Sequence, residues 1–231
     1  MQLRKYQVDT ISKTADSFRS DNQAPLIVLP TGAGKTVIFS EIAKRAVQKD
    51  NNVLILVHRR ELIKQASKKL ADIKVPHGII AAGFKPSDEP IQVASVQTIV
   101  RRLNSTSFKP ALIIIDEAHH SVAGSWKKIL DHFPQAKRIG VTATPCRLSG
   151  EGLRVMFDDL ILGPSVQQLV KAGFLSPHKV FGAPQKINFN KIKMRGGDYA
   201  TDELAEENKM EAFDDSILNN IKKREPFWRK A

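Results

Sequence analysis

The chain has 231 residues, of which 42% are hydrophobic and 26% charged, enough for one large globular domain or for one domain with an appendage. Its longest apolar runs, residues 25–29 and 111–115, are far shorter than the about 20 residues that a membrane span needs. The first ten residues are polar and contain no apolar signal core. We therefore expect neither a membrane segment nor a signal peptide.

Charge and cysteine content indicate what kind of partner and which cellular compartment to expect. The net charge is +12 and the sequence pI is about 9.8, which favours contact with a polyanion such as nucleic acid. The alternative is a basic surface that only keeps the protein soluble, and charge does not distinguish DNA from RNA. The single cysteine, Cys146, excludes an internal disulfide and favours a reducing, cytoplasmic setting.

Short apolar strands alternate with amphipathic helices along most of the chain. Strands are predicted over residues 26–29, 53–57, 91–94, 111–115 and 138–141, and helices over residues 35–48, 61–70 and 166–172. Strands that are apolar throughout, between helices that are apolar on one side, are typical of a parallel sheet covered on both faces. The sequence therefore predicts an α/β fold with three layers.

The pattern changes near the end of the last predicted helix, which stops at Gly173. Beyond it, the sequence becomes rich in Lys, Asn and Gly and then acidic over residues 202–215. We predict one globular domain over residues 1–175 and a linker and tail over residues 176–231. The acidic stretch is interpreted as a solvated helix face.

A glycine-rich segment, Pro30-Thr-Gly-Ala-Gly-Lys-Thr36, lies between the first predicted strand and the helix after it. Glycines allow successive backbone N–H groups to turn toward phosphate oxygens, and the helix directs its positive end at them. This context predicts a phosphate-binding loop in which Lys35 neutralises the β- and γ-phosphates and the Thr36 hydroxyl binds Mg²⁺. Leu29 replaces the first glycine of the strict motif, which argues against small GTPases and simple kinases. The residues predicted to bind the phosphates are Thr31, Gly32, Ala33, Gly34, Lys35 and Thr36.

Two carboxylates follow the strand predicted over residues 111–115, in the segment Asp116-Glu-Ala-His119. Folds of this class bind ligands at the carboxyl edge of the parallel sheet. Asp116 is therefore predicted to hold Mg²⁺, and Glu117 to orient the attacking water and remove its proton. His119 is placed to sense this site and to pass its state to a neighbouring segment. An acidic strand end is a weak signal alone, but with the phosphate loop it predicts nucleotide hydrolysis.

These ordered motifs resemble those of superfamily-two helicases of the DEAH type. Within that group the sequence is most similar to the bacterial and phage RadD-like or UvrB/restriction-type ATPases, over roughly residues 1–180. The resemblance implies a RecA-like P-loop domain, a three-layer α/β sandwich with a mainly parallel sheet, here with a C-terminal extension. It also implies ATP and Mg²⁺ as cofactors, DNA as the nucleic acid, and the cytoplasm of a bacterial or phage-infected cell.

The segment Leu3-Arg-Lys-Tyr-Gln7 resembles the family motif that reads adenine. The Gln7 amide offers both a donor and an acceptor, which suits the edge of that base. The resemblance implies that Gln7 selects ATP, with Arg4 and Tyr6 supporting it. The alternative is the ordinary start of an amphipathic helix.

Two segments resemble the motifs that contact nucleic acid. His58-Arg-Arg-Glu-Leu62 resembles the segment that lines the path of the strand, which implies that Arg59 and Arg60 reach backbone phosphates. A solvated basic cap is the alternative for either arginine. Ser95-Val-Gln-Thr98 resembles the second such motif, and there Thr98 is the expected contact.

The segment Thr142-Ala-Thr144-Pro145 resembles the motif that couples hydrolysis to domain motion. The resemblance implies that Thr142 and Thr144 act in this coupling together with His119. These threonines and the segment at residues 95–98 disfavour a P-loop ATPase outside the helicases.

Family members carry a second RecA-like domain whose arginines stabilise the transferring phosphoryl group. The sequence contains no Gly-Arg pair of the kind that marks that motif, and few residues follow Pro145. We therefore expect a motor domain that needs a second RecA-like domain in cis or in trans. Two functions stay open: the ATP-hydrolysing motor domain of a DNA helicase or translocase, and a non-catalytic remnant that binds nucleotide and DNA as a regulatory module.

Overall fold

A computed structural model of the chain describes residues 2–58, 60–120, 124–145, 153–177, 194–195 and 198–199. Contacts divide the chain into two units, Met1–Ser176 and Pro177–Ala231. In the second unit, the described residues form a short antiparallel pair, β8 (Met194–Arg195) with β9 (Asp198–Tyr199). The predicted acidic stretch at residues 202–215 lies outside the described residues.

The first unit is built on one seven-stranded sheet in the order β3-β4-β2-β5-β6-β1-β7, and every strand pair in it is parallel. The strands are β1 (Pro25–Val28), β2 (Val53–Val57), β3 (Gly78–Ile80), β4 (Ile91–Ser95), β5 (Leu112–Asp116), β6 (Lys137–Thr142) and β7 (Asp159–Leu162). The predicted α/β fold with a parallel sheet is confirmed. Since no described strand of this sheet is antiparallel, the expected "mainly parallel" sheet is parallel throughout.

Helices cover both faces of the sheet. They are α1 (Lys5–Arg19), α2 (Lys35–Val47), α3 (Arg60–Asp72), α4 (Val96–Arg102), α5 (Gly124–His132) and α6 (Val166–Lys171). Among these helices and the rest of the described chain, none is long and apolar enough to cross a membrane.

The strand residues divide between two apolar clusters, one on each face. In β2, Ile55 belongs to the cluster that includes side chains of α2 and α3, whereas Leu54 and Leu56 belong to the cluster that includes α4 and α5. This alternation follows from the two-residue period of a strand. All five residues of β2 are fully buried, and truncating a leucine such as Leu56 to alanine would cost about 2–5 kcal/mol.

Helix α1 was not among the predicted helices, although a helix start was the alternative interpretation of residues 3–7, and its composition gives the reason. Its buried positions are mostly polar: Gln7, Thr10, Thr14 and Ser17 accompany only Ile11. The Thr10 and Thr14 hydroxyls donate to the carbonyl oxygens four residues earlier, at 2.7 and 2.8 Å. These bonds satisfy the buried hydroxyls, so the helix can bury them beside Ile11 and the partly buried Tyr6 and Phe18, which pack against the core. Edge strands β3 and β7 and helices α4 and α5 are also additions to the prediction.

Candidate nucleotide-binding site

The carboxyl ends of three adjacent strands bring the predicted nucleotide motifs together. Strand β6 lies between β5 and β1, and the register pairs Asp116 with Val141 and Val28 with Thr142. Neighbouring strands are about 4.8 Å apart. The acidic pair after β5, the threonines at the end of β6 and the glycine-rich loop after β1 therefore share one edge of the sheet.

The glycine-rich loop depends on its two glycines. Gly32 and Gly34 both have φ of +81°, in the left-handed region that strains other residues. A Cβ on Gly34 would lie 2.6 Å from Gln7 Nε2, and one on Gly32 would lie 2.8 Å from Leu175 Cδ2. Gly34 runs directly into the 13-residue helix α2, whose first N–H groups and dipole attract phosphate.

Lys35 and Thr36 form the start of α2 and are half-buried. The Lys35 ammonium donates to the Leu29 carbonyl oxygen at 3.5 Å, so the side chain bends back over the loop. Its charge also acts on Asp116, whose pKa it lowers somewhat. The lysine of the loop and the first acidic residue therefore interact across β6, the strand that separates β1 from β5.

Asp116 ends β5 as a nearly buried carboxylate with 7% of its surface exposed. Burial, followed by the negative charge of Glu117, raises the pKa of Asp116 to about 6, against smaller lowering effects from the Glu117 backbone N–H and from Lys35. The Glu117 N–H donates to Asp116 Oδ1 at 3.0 Å. A carboxylate that is costly to ionise in isolation is suited to a site that a cation occupies.

Glu117 has a left-handed backbone, with φ of +50°. This conformation costs a non-glycine residue about 1–3 kcal/mol and tends to occur where function fixes the backbone. The Glu117 side chain is about one third exposed, and its Oε2 lies 3.5 Å from His119 Nδ1. The second carboxylate is thus partly exposed, whereas the first is buried.

The predicted coupling residues form one hydrogen-bonded line. His119 Nδ1 lies 2.9 Å from Thr142 Oγ1, and Thr142 itself is fully buried. The Thr142 hydroxyl donates to the Thr144 carbonyl oxygen at 3.0 Å and accepts from the Thr144 N–H at 3.1 Å. Together with the Glu117 contact, this line joins the loop after β5 to the loop after β6.

The predicted adenine-reading residues lie against the phosphate loop. Gln7 is 4% exposed, and its amide donates to the Ala33 carbonyl oxygen at 3.3 Å and accepts from the Arg4 N–H at 2.9 Å. The Tyr6 hydroxyl donates to the same Ala33 oxygen at 2.7 Å, and Arg4 in turn donates to the Tyr6 oxygen at 3.3 Å. Each end of the Gln7 amide makes one bond to the protein. Since the amide has two N–H donors and its oxygen can accept two hydrogen bonds, each end keeps the capacity for one further bond to a base.

Two further residues, Phe174 and Leu175, lie against the predicted adenine-reading residues and the glycine-rich loop. The sequence motifs did not identify them. The Phe174 ring lies 5.5 Å from the Tyr6 ring, and the Arg4 guanidinium carbon lies 4.6 Å from the Phe174 centroid. Leu175 approaches Gly32. Both follow α6, far from the N-terminal motif in sequence, so no local pattern indicates the contact.

The predicted nucleic-acid residues lie at the other end of the same edge. Strands β2 and β4 are neighbours whose register pairs Val57 with Ser95. Arg60 begins α3 after β2, and half-buried Thr98 lies in the first turn of α4 after β4. The Gln97 side chain donates to the His58 carbonyl oxygen at 3.2 Å and links the two strand ends. Arg59 lies outside the described residues.

The residues at the carboxyl ends of β1, β5 and β6 fit a nucleotide with Mg²⁺. The described residues contain no cluster of three or more His, Cys, Asp or Glu side chains of the kind that holds a metal by protein ligands alone. Mg²⁺ in nucleotide sites instead takes one or two protein oxygens and completes its shell with phosphate oxygens and waters. The Thr36 hydroxyl and the buried Asp116 carboxylate are suited to be those two oxygens.

Fold comparison defines the class of protein. The helicase domain of Pyrococcus furiosus Hef superposes with a TM-score of 0.58 at 26% sequence identity, covering 70% of this chain and 38% of that chain. A parallel sheet with a glycine-rich loop after β1 and an acidic pair after β5, in a fold shared with helicases, is a RecA-like domain. The chain is related to the ATPase domains of superfamily-two helicases and translocases.

The sequence identifies the family. The family model described as "Type III restriction enzyme, res subunit" matches residues 1–147, and the chain belongs to that family. The "Putative ATP-dependent helicase IRC3" of Saccharomyces cerevisiae is 34% identical over 215 residues, which are 85% of this chain and 31% of that protein. The "DNA 3'-5' translocase XPB2" of Sulfurisphaera tokodaii is 28% identical over 183 residues, 78% of this chain and 39% of that protein. The chain thus spans about a third of the length of these relatives.

Proposed function

We propose that this domain hydrolyses ATP with Mg²⁺ and serves as the first motor domain of a DNA helicase or translocase. One observation carries the proposal: the line from Glu117 through His119 and Thr142 to Thr144 runs beside the phosphate loop. A site that only bound nucleotide would need the loop but not a carboxylate joined to the neighbouring segment.

In the proposed site, the triphosphate lies on the loop of residues 31–36. Backbone N–H groups and the start of α2 hold the phosphate oxygens, and the Lys35 ammonium leaves the Leu29 carbonyl to neutralise their charge. Thr36 and Asp116 hold Mg²⁺, which offsets charge on the phosphates. The family relationship and the name of the yeast relative support ATP as the nucleotide.

Glu117 is the proposed base. Its carboxylate orients a water against the terminal phosphate and accepts a proton from it as the water oxygen bonds to the γ-phosphorus. The bond from that phosphorus to the bridging oxygen breaks, so that ADP and phosphate leave. The partial exposure of Glu117 gives water access, and the neighbouring His119 nitrogen restricts where the carboxylate points. As the carboxylate gains the proton, its contact with His119 changes, and the bonds through Thr142 transmit this change to Thr144.

DNA is the proposed partner, in a path along the carboxyl ends of β2 and β4. The support is the +12 net charge, the position of Arg60 and Thr98 at those strand ends, and a relative named as a DNA translocase. We also propose a second RecA-like domain, in cis or in trans, that faces the nucleotide and supplies an arginine. Such an arginine can add about 10³–10⁵ to the rate of hydrolysis.

The test is calorimetry of ATP binding with and without Mg²⁺, on the 231-residue polypeptide and its Lys35→Ala variant. Losing the charge-assisted contact to phosphate should weaken binding by about 1.5–3 kcal/mol. Equal affinities would rule out the phosphate loop. Steady-state ATPase with saturating DNA then follows, with and without the second domain of a relative. Turnover by the polypeptide alone should stay below about 1 s⁻¹, the lower end of ordinary enzymes, and faster turnover would show that no second domain is needed.

A further inference from the structure

Phe174 is an exposed aromatic side chain beside the phosphate loop. Among the described residues, six large apolar side chains are well exposed, and Phe174 is the one aromatic among them, with 37% of its surface accessible. The other five, Val8, Val155, Leu160, Leu162 and Val166, are aliphatic. An aromatic ring that remains open to solvent offers a flat apolar surface for a ligand.

The backbone around Phe174 is tightly held. Helix α6 ends with Gly173 in the left-handed region, at φ of +72°, and the Phe174 N–H donates to the Leu169 carbonyl oxygen at 2.8 Å. Leu169 is 1% exposed, so this bond anchors the turn to the core. Leu175 packs close to Gly32 of the phosphate loop. The ring is therefore presented from a fixed turn.

The Phe174 ring also lies among the side chains that are predicted to read the adenine of the nucleotide. Arg4 is stacked over it with 4.6 Å between the guanidinium carbon and the ring centroid, and the Tyr6 ring packs at 5.5 Å. Tyr6 and Gln7 both donate to the Ala33 carbonyl oxygen in the loop. A nucleotide whose phosphates lie on this loop carries its base within reach of the same group.

We propose that Phe174 contacts the base of the bound nucleotide by stacking and so completes the base site formed by Arg4, Tyr6 and Gln7. This inference rests on the proposed nucleotide site. Stacking is indifferent to the hydrogen-bonding edge of a base, so Phe174 strengthens binding of any purine nucleotide, whereas Gln7 is left to choose between them. The contact depends on the aromatic face and not on bulk alone.

The experiment measures binding of two probes, ATP and inorganic tripolyphosphate, each with Mg²⁺. Tripolyphosphate occupies the phosphate loop without a base. Phe174→Ala should weaken ATP binding about ten-fold, the scale of one base–aromatic stack, and should leave tripolyphosphate binding unchanged. Phe174→Tyr keeps the aromatic face and should bind ATP like the wild type. Leu162→Ala removes a more exposed apolar side chain, on β7, and should change neither affinity.

Several results would overturn the inference. Equal weakening of both probes by Phe174→Ala would show that the residue only supports the loop, and unchanged ATP binding would show that the ring does not touch the base. Failure of Phe174→Tyr to restore ATP binding would exclude stacking. If the wild type bound neither probe, the proposed nucleotide site itself would be wrong, and this outcome is distinct because it appears before any substitution is made.

Discussion

The two ends of the sheet's carboxyl edge are organised differently. At the ends of β1, β5 and β6, side chains are interlocked: Asp116 is buried and Thr142 makes three hydrogen bonds to His119 and Thr144. At the ends of β2 and β4, His58 and Gln97 are exposed, and the Gln97 side chain donates to the His58 carbonyl oxygen. The first end is suited to chemistry on a small charged ligand, which requires groups held in place before the reaction. The second is suited to a polymer that slides, because exposed contacts to a charged backbone can be exchanged.

Among substitutions that test this difference between the two ends, the largest expected effect is on ATP hydrolysis at Glu117. Glu117→Gln keeps the size of the side chain but removes the base, so single-turnover ATP hydrolysis should fall by about 10²–10⁴. ATP and DNA affinities should stay close to those of the wild type. Rapid-quench measurement of phosphate release reports the rate, and an unchanged rate would mean that another group takes the proton.

Thr142→Val tests whether the hydrogen bonds through Thr142 couple the loop after β5 to the loop after β6. Valine matches the shape of threonine but leaves the Thr144 N–H and its carbonyl oxygen without the Thr142 hydroxyl. Because Thr142 is fully buried, the free energy of unfolding should fall by about 1–3 kcal/mol. If the line couples the two loops, the stimulation of ATPase by DNA should weaken more than ATP binding does. Denaturant unfolding measures the loss of stability, and ATPase assays with and without DNA measure the loss of stimulation. Thr98→Val, at the ends of β2 and β4, is the matched control for stability and should show no comparable loss.

The pH dependence follows from the raised pKa of Asp116, about 6 against an ordinary value of 3.8. Mg²⁺ needs the ionised carboxylate, so its affinity in the presence of ATP should be about ten-fold lower at pH 5 than at pH 7. The sign for stability is opposite. The folded state takes up a proton between pH 3.8 and about 6 that the unfolded chain does not, so stability from this group declines as pH rises through that window. Asp116→Asn should abolish both trends. A Mg²⁺ affinity that still fell at low pH in this variant would place the metal site elsewhere, and a stability trend that persisted would mean that another group titrates.

The smallest expected effect lies at the open end. Arg60→Ala should reduce the slope of log affinity for single-stranded DNA against log salt by about 0.7, the value for one phosphate contact. ATP affinity should not change. Fluorescence anisotropy over a salt series measures the slope, with Lys49→Ala, on an exposed turn after α2, as the control for simple loss of charge. If both variants lower the slope equally, the basic surface acts as a whole and the strand ends form no defined path.

The sequence predicted those parts of the site in which the chemistry lies within a few consecutive residues. The loop from Thr31 to Thr36 and the pair Asp116–Glu117 each follow a strand directly, so their position on the sheet follows from the order of elements. The approach of Phe174 to Arg4 and Tyr6 could not be predicted, because it depends on how α6 returns to the start of the chain. Helix α1 as a whole was missed, although a helix start was the alternative for its first residues. Threonine hydroxyls that bond back to the helix occupy buried positions where a periodicity search expects apolar side chains.

The strand order also has a consequence for how the protein folds. Strand β6 is the sixth to be synthesised, yet it lies between β1 and β5 and so between the phosphate loop and the acidic pair. A growing chain that has emerged only as far as β5 has both motifs but lacks the strand that sets their spacing. Closing such long-range parallel pairs is slow, because chain entropy must be lost before the contacts form. A nucleotide bound as proposed would therefore stabilise the chain only late in folding, once the residues up to Thr142 have paired with their neighbours.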